Sequence, residues 1–142
     1  MQATGFSAWK GTWKQGTGTI STKSDTLRAA TYTFASRFEG APGASPEELL
    51  AAAHAGCFNQ ALANNFGMIG LEADSISTSA TVEFGHDVGG SPAINAVHIE
   101  VVAKAPGITE DQFMHCAERS RTLCTISKLI KCEITMSATL TP

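Results

Sequence analysis

Ser45-Pro46-Glu47-Glu48-Leu49-Leu50-Ala51-Ala52-Ala53-His54-Ala55-Gly56-Cys57-Phe58, continuing to Phe66, reads as one long helix. Ser45 is a good N-cap because its hydroxyl can accept an orphan first-turn N–H, and Pro46 suits the next position, where no donor is required. Glu47 and Glu48 set negative charge against the positive end of the helix dipole. From Leu49 to Ala63 the run is mostly alanine and leucine and carries no formal charge. A helix apolar nearly all round is a buried helix. The segment is therefore expected at the centre of the fold, with a cysteine in its middle.

The rest of the chain is read outward from that helix. At 142 residues the expectation is a single domain, 1–142, long enough for a real core. A formal net charge of −3 offers no basic surface to a nucleic acid. No apolar run approaches the roughly 20 residues of a membrane span, so no membrane partner is expected. Met1-Gln2-Ala3-Thr4 has neither a basic nor an apolar signal region, and the expected address is the cytoplasm. There Cys57, Cys116, Cys124 and Cys132 do not read as a static disulfide framework. Their spacings lack CxxC, which argues against a metal site despite four histidines.

Before the long helix, residues 4–14 (Phe6, Trp9, Trp13) and 16–22 (Thr17, Thr19, Ile20, Thr22) look like two strands, with Tyr32-Thr33-Phe34 as a short third. Ser36 to Ala44, rich in glycine and proline, is expected to be a loop. After it, Ile76, Thr78, Ala80, Val82 and Phe84 alternate with polar residues, Gly85 to Pro92 turns the chain, and Ile94 to Val102 returns it as a hairpin. Thr109, Glu110 and Asp111 open a second helix through about Leu123, followed by a short helical piece, Thr125 to Leu129. Ile130, Cys132, Ile134, Met136, Ala138 and Leu140 alternate with polar residues as a final strand. The order β-β-(β)-α-β-β-α-β is an α+β domain.

A free cysteine inside a helix is usually a small hydrophobe, and Cys116 and Cys132 read that way. Cys57 and Cys124 have more telling surroundings. Cys124 lies at a joint between helical pieces, where the N–H groups of a helix start can stabilise a thiolate. A nucleophilic thiol among apolar groups needs a fixed cation nearby, because burial alone raises its pKa. Arg37 is the only arginine of the loop that enters the long helix, and Glu47 could fix it by paired hydrogen bonds.

Taken in order, Arg37-Phe38-Glu39-Gly40, Ser45-Pro46-Glu47-Glu48-Leu49, Ala52-Ala53-His54-Ala55-Gly56-Cys57-Phe58 and Leu123-Cys124-Thr125-Ile126-Ser127 resemble the motifs of the OsmC/Ohr organic hydroperoxide reductases. Trp9 with Gly11, Gly18 to Thr22, Ala105 to Ile108 and Glu133 to Thr135 extend the likeness over nearly the whole chain. The placement of Arg37 resembles the OsmC branch. The resemblance implies antiparallel sheets packed around long buried helices in an intertwined homodimer. It implies a peroxidatic Cys57, a resolving Cys124 that forms a disulfide with it, an Arg37 that keeps Cys57 as thiolate, and a Glu47 that orients Arg37. It also implies an organic hydroperoxide as substrate, reduction by an external dithiol such as a lipoyl group, and no metal or bound cofactor. Proline usually follows the second cysteine in that family. Thr125 stands there instead, which predicts a looser first turn.

The apolar helix, Phe38 and Phe58 would suit an alkyl tail. His54, three residues before Cys57 on one helix face, raises a Cys–His dyad, against a structural histidine bonded to backbone. A second reading is a non-enzymatic apolar-ligand-binding or redox-sensing dimer; a third, a Cys–His acyl-transfer enzyme, lacks an evident oxyanion loop. Glu47 and Cys57 are ten residues apart, which on one helix separates them by about 15 Å and places them on different faces. A homodimer with sites at the subunit interface, Arg37 and Glu47 reaching the partner's thiol, is therefore expected.

Overall fold

The computed structural model describes residues 1–142. They fall into two compact units, Met1–Leu49 and Leu50–Pro142. No helix is long and apolar enough to cross a membrane.

The first unit holds an antiparallel sheet in the order β1 (Gly5–Lys10), β2 (Thr17–Thr22), β3 (Ala30–Thr33). Gly18 pairs with Trp9 on one side and Tyr32 on the other. A Cβ there would lie 2.6 Å from the Trp9 ring and 2.5 Å from the Tyr32 ring, so glycine is what lets the two rings close over the strand at 5.3 Å between centroids. The first strand is shorter than expected: it ends at Lys10, and Trp13 lies in the following turn.

The expected loop from Ser36 also needs correction. Phe34–Phe38 is a short helix, α1. Its start is a reciprocal cap: the Thr33 hydroxyl accepts the Ser36 N–H at 3.0 Å, and the Ser36 hydroxyl oxygen accepts the Thr33 N–H at 2.8 Å. Serine in place of the usual Glu or Gln weakens this signature in the sequence. Ser36 is buried, and its hydroxyl also donates to the Ala44 carbonyl at 2.8 Å. Gly43 completes this tuck with φ +136°, where an added Cβ would meet Ser36 Cβ at 3.0 Å and the Thr31 carbonyl oxygen at 3.2 Å.

Helix α2 spans Pro46–Met68. Ser45 caps it as expected, its hydroxyl oxygen accepting the Glu48 N–H at 3.3 Å. His54, Phe58, Leu62, Asn65 and Phe66 form its buried face, whereas Ala52, Ala53, Gly56, Ala63 and Gly67 are exposed in the single chain. The helix is therefore covered on one side only, a difference from the all-round burial its composition predicts.

The second unit adds β4 (Ser75–His86), β5 (Pro92–Lys104), α3 (Glu110–Leu123), α4 (Thr125–Leu129) and β6 (Glu133–Leu140), with sheet order β4-β5-β6. The β4–β5 hairpin is antiparallel, but β6 runs parallel to β5. The expectation of purely antiparallel sheets fails at this strand. Ala105 to Cys132 carries two helices between β5 and β6, and a helical crossover of that length is what parallel neighbours require. Cys132 precedes β6 in a bend instead of alternating within it. Thr109 caps α3 through a box with Gln112.

Phe58, Leu62 and Phe66 of α2 meet Ile99, Val101 and Ala103 of β5 and Phe113, Cys116 and Ala117 of α3 in one core. Each large side chain so buried contributes about 1.5–3 kcal/mol. A polar bracket joins the same helices: Asn65 Nδ2 donates to Ser120 Oγ at 2.9 Å while Arg119 Nε donates to Asn65 Oδ1 at 3.1 Å. This bracket and the core fix the inner face of α2.

Candidate active site

In the first unit, Arg37 sits in the last turn of α1 and Glu47 in the first turn of α2. Arg37 Nη2 donates to Glu47 Oε1 at 2.5 Å and Nε to Oε2 at 3.4 Å. Ser45 Oγ donates to the same carboxylate at 2.9 Å. Burial pushes the Glu47 carboxyl upward, but the Arg37 hydrogen bond, its own backbone N–H, Ser45 and the guanidinium charge together hold it below the ordinary value. The guanidinium also lies 4.9 Å from the Phe38 ring centroid, so both the charge and the plane of Arg37 are held.

Beside Arg37 is an aromatic cleft of about 300 Å³, lined by Trp9, Trp13, Tyr32, Phe34 and Phe38. Trp13 meets Phe34 edge-on at 4.9 Å, and Phe34 lies 4.8 Å from Phe38. Of the two phenylalanines expected to accept an alkyl tail, Phe38 lines this cleft. Phe58 is fully buried in the core of the second unit, because it occupies the face of α2 that also carries His54, Leu62 and Phe66. Trp9, Trp13 and Phe34 escaped the sequence reading as cleft residues. Their signal was the density of aromatics around a glycine-rich strand.

In the second unit, Cys57 lies in the middle of α2, half-buried, and Cys124 is buried; both are free thiols. Cys124 is at once the C-cap of α3 and the N-cap of α4, its sulfur accepting the Ser127 N–H at 3.4 Å. Helix α4 starts at Thr125, which takes the first helical position where the family usually has proline.

Ser127 Oγ lies 3.0 Å from Cys124 Sγ and 2.7 Å from His54 Nε2. The chain Cys124–Ser127–His54 thus ends on α2, one helical turn before Cys57. His54 is completely buried and its Nδ1 has no partner. Burial holds its imidazole below the ordinary value, which keeps it neutral at pH 7. Its partner is a side-chain hydroxyl, where the structural reading of the sequence expected backbone. A histidine one turn before Cys57 in an otherwise apolar run, and a serine one turn after Cys124, were the available signal.

Burial pushes the Cys116 thiol up, only partly offset by Arg119, as befits a core residue. His86 ends β4, and His98 lies on the exposed face of β5 beside Thr135 and Ser137. No group of three His, Cys, Asp or Glu is placed to hold a metal ion.

A family model described as OsmC-like protein matches residues 38–139. The chain is 38% identical over 132 residues to Peroxiredoxin OsmC of Escherichia coli (strain K12), covering 93% of this chain and 92% of that protein. Among solved structures, an OsmC like protein from Mycoplasma pneumoniae superposes with a TM-score of 0.78 at 12% identity, covering 100% of this chain and 99% of that one. The organic hydroperoxide resistance protein OhrB of Bacillus subtilis gives 0.68 at 20% identity, with 97% and 98% covered. These two likenesses carry the fold, and the matched length with the 38% identity carries the kinship: the chain belongs to the OsmC family.

Proposed function

We propose that this protein is a cytoplasmic, peroxiredoxin-like thiol peroxidase that reduces organic hydroperoxides to alcohols. Cys57 thiolate attacks the distal peroxide oxygen; the O–O bond breaks, the alkoxide leaves as alcohol after taking a proton, and Cys57 becomes a sulfenic acid. Cys124 then attacks that sulfur, forming a disulfide and releasing water. An external dithiol, of the lipoyl type, returns both thiols by exchange. The chain works as one functional domain and needs no bound cofactor.

The observation that carries this reading is the anchoring of Cys124, through Ser127 and His54, to the turn of α2 that precedes Cys57. A resolving thiol must be held near its target. The relatives named for peroxiredoxin activity and hydroperoxide resistance add weight. The aromatic cleft beside Arg37 has the size and apolar walls that an alkyl or aryl tail needs.

The proposal includes a homodimer in which Arg37 and Glu47 serve Cys57 of the partner subunit. Support comes from the exposed small-residue face of α2, where a Cβ on Gly56 or Gly67 would meet nothing within 4 Å, and from the exposed Phe6, Trp9 and Trp13. Apolar surface of this kind is ordinarily covered. Consumption of cumene hydroperoxide with dihydrolipoamide, followed by peroxide titration, tests the activity. Binding without consumption would instead make the chain an apolar-ligand receptor.

A further inference from the structure

We propose that Ser127 and His54 form a proton relay for Cys124: Ser127 takes the thiol proton and passes its own to His54, so that the second thiol becomes a nucleophile when the disulfide closes. The inference rests on the peroxidase cycle proposed above and adds to it the group that activates the resolving step.

The three groups form one continuous hydrogen-bonded file, 3.0 Å from Cys124 Sγ to Ser127 Oγ and 2.7 Å from there to His54 Nε2. All three are buried, with Cys124 at 3%, Ser127 at 6% and His54 at 0% exposure. Water is therefore poorly placed to take the thiol proton, and an internal acceptor is needed. A neutral imidazole with its proton on Nδ1 presents Nε2 as that acceptor. In this polarity S–H donates to Oγ, and O–H donates to Nε2. After transfer every bond reverses: the imidazolium N–H donates to Oγ, and the Ser127 O–H and N–H both donate to the sulfur. Ser127 is thus positioned to stabilise the thiolate by two hydrogen bonds, the N–H contact at 3.4 Å already being in place.

Ser127 is the one hydrogen-bond partner of the imidazole, and Nδ1, which carries the proton in this tautomer, is buried without one. Burial holds the imidazole below its ordinary value, so Nε2 is unprotonated and can accept before the step, and a proton taken up is readily given back.

The chemistry balances. The Cys124 sulfur supplies the electron pair of the new S–S bond, the S–O bond of the Cys57 sulfenic acid breaks, and hydroxide leaves. The proton lifted from Cys124 and that hydroxide together make one water. Sulfur at Cys57 is reduced from the sulfenic to the disulfide level as Cys124 is oxidised to it. Ser127 touches the reacting sulfur and is catalytic; His54 acts through Ser127 and is a positioning and proton-holding residue.

The test mixes reduced protein with one equivalent of cumene hydroperoxide and quenches at intervals with dimedone, which traps sulfenic acid. The ratio of disulfide closure to Cys57 oxidation is then read by mass. Ser127→Ala and His54→Gln should lower that ratio by about 100-fold, the usual range for a lost general base, and Ser127→Thr should restore most of it. Wild-type closure should level off at neutral pH, whereas closure in Ser127→Ala should keep rising with pH. Equal ratios and superimposable pH profiles, or equal slowing of both steps, would overturn the relay.

If the buried variants do not fold, the wild type decides in mixtures of H₂O and D₂O. A bowed dependence of closure on deuterium fraction indicates protons moving together, and a rate indifferent to D₂O overturns the proposal. If peroxide yields no Cys57–Cys124 disulfide at all, the peroxidase cycle fails separately. The relay is then read in the Cys57→Ser chain from iodoacetamide alkylation of Cys124, located by mass. Ser127→Ala should slow it about 10-fold, a smaller share of the same general-base effect; an unchanged rate overturns the relay.

Discussion

Arg37 and Glu47 close the excursion from the end of α1 to the first turn of α2 through two hydrogen bonds, of 2.5 and 3.4 Å, to one carboxylate. The Glu47 side chain is only 13% exposed and that of Arg37 28%, so the pair is better shielded than a surface salt bridge. Its contribution depends on the charge of Glu47. The folded carboxyl titrates below its ordinary value of 4.5, so the stabilisation is complete above that pH and is lost as pH falls through the lowered folded value. Glu47→Gln should therefore lower the urea midpoint at pH 7, and the gap to wild type should narrow progressively below about pH 4.5. A gap that widens on acidification would contradict the sign.

Arg37→Ala should slow the peroxide-dependent step about 100-fold, the effect of removing one fixed donor from developing oxyanion charge. Reduction of the disulfide by dithiol should change little, since that step needs no charge on a peroxide. Rapid mixing of each half-reaction separates the two. Equal slowing of both would remove Arg37 from the oxidation step.

Cys57→Ser should abolish steady-state turnover, because a hydroxyl cannot take and release the oxygen as sulfur does. Cys124→Ser should allow a single stoichiometric turnover and leave a sulfenic acid on Cys57 that dimedone traps. Cys116→Ala and Cys132→Ala should retain turnover, with a stability loss of about 1 kcal/mol for the buried Cys116. Normal turnover in Cys57→Ser would end the peroxidase reading.

The aromatic cleft predicts substrate discrimination. Trp13→Ala removes the ring that packs against Phe34 and Phe38, and should raise KM for cumene hydroperoxide about 10-fold. Hydrogen peroxide, with no tail to bury, should be affected little. Equal losses for both peroxides would place the tail elsewhere.

Shared sites predict complementation. Arg37→Ala chains, slowed about 100-fold, and inactive Cys57→Ser chains should together reach about a quarter of wild-type activity when refolded as a mixture, since random pairing makes half the dimers mixed and each mixed dimer holds one complete site. Demonstrated pairing without recovered activity would refute the shared-site arrangement.

Much of the molecule is local and was readable from the chain. The Ser45 cap, the proline and the acidic first turn specify the start of α2, and Thr109 specifies that of α3, because caps act within one turn of the backbone. Alternation fixed β4, β5 and the inward face of β6. The joint at Cys124 was legible because two helical runs meet there. What the chain alone left open depends on contacts distant in sequence. The parallel seating of β6 follows from where the crossover lands, and the burial of Phe58 from which side of a uniformly apolar helix meets β5 and α3. The pairing of His54 with Ser127 spans 73 residues, and no periodicity encodes it. Only the folded core, by excluding water around both groups, makes each the other's partner.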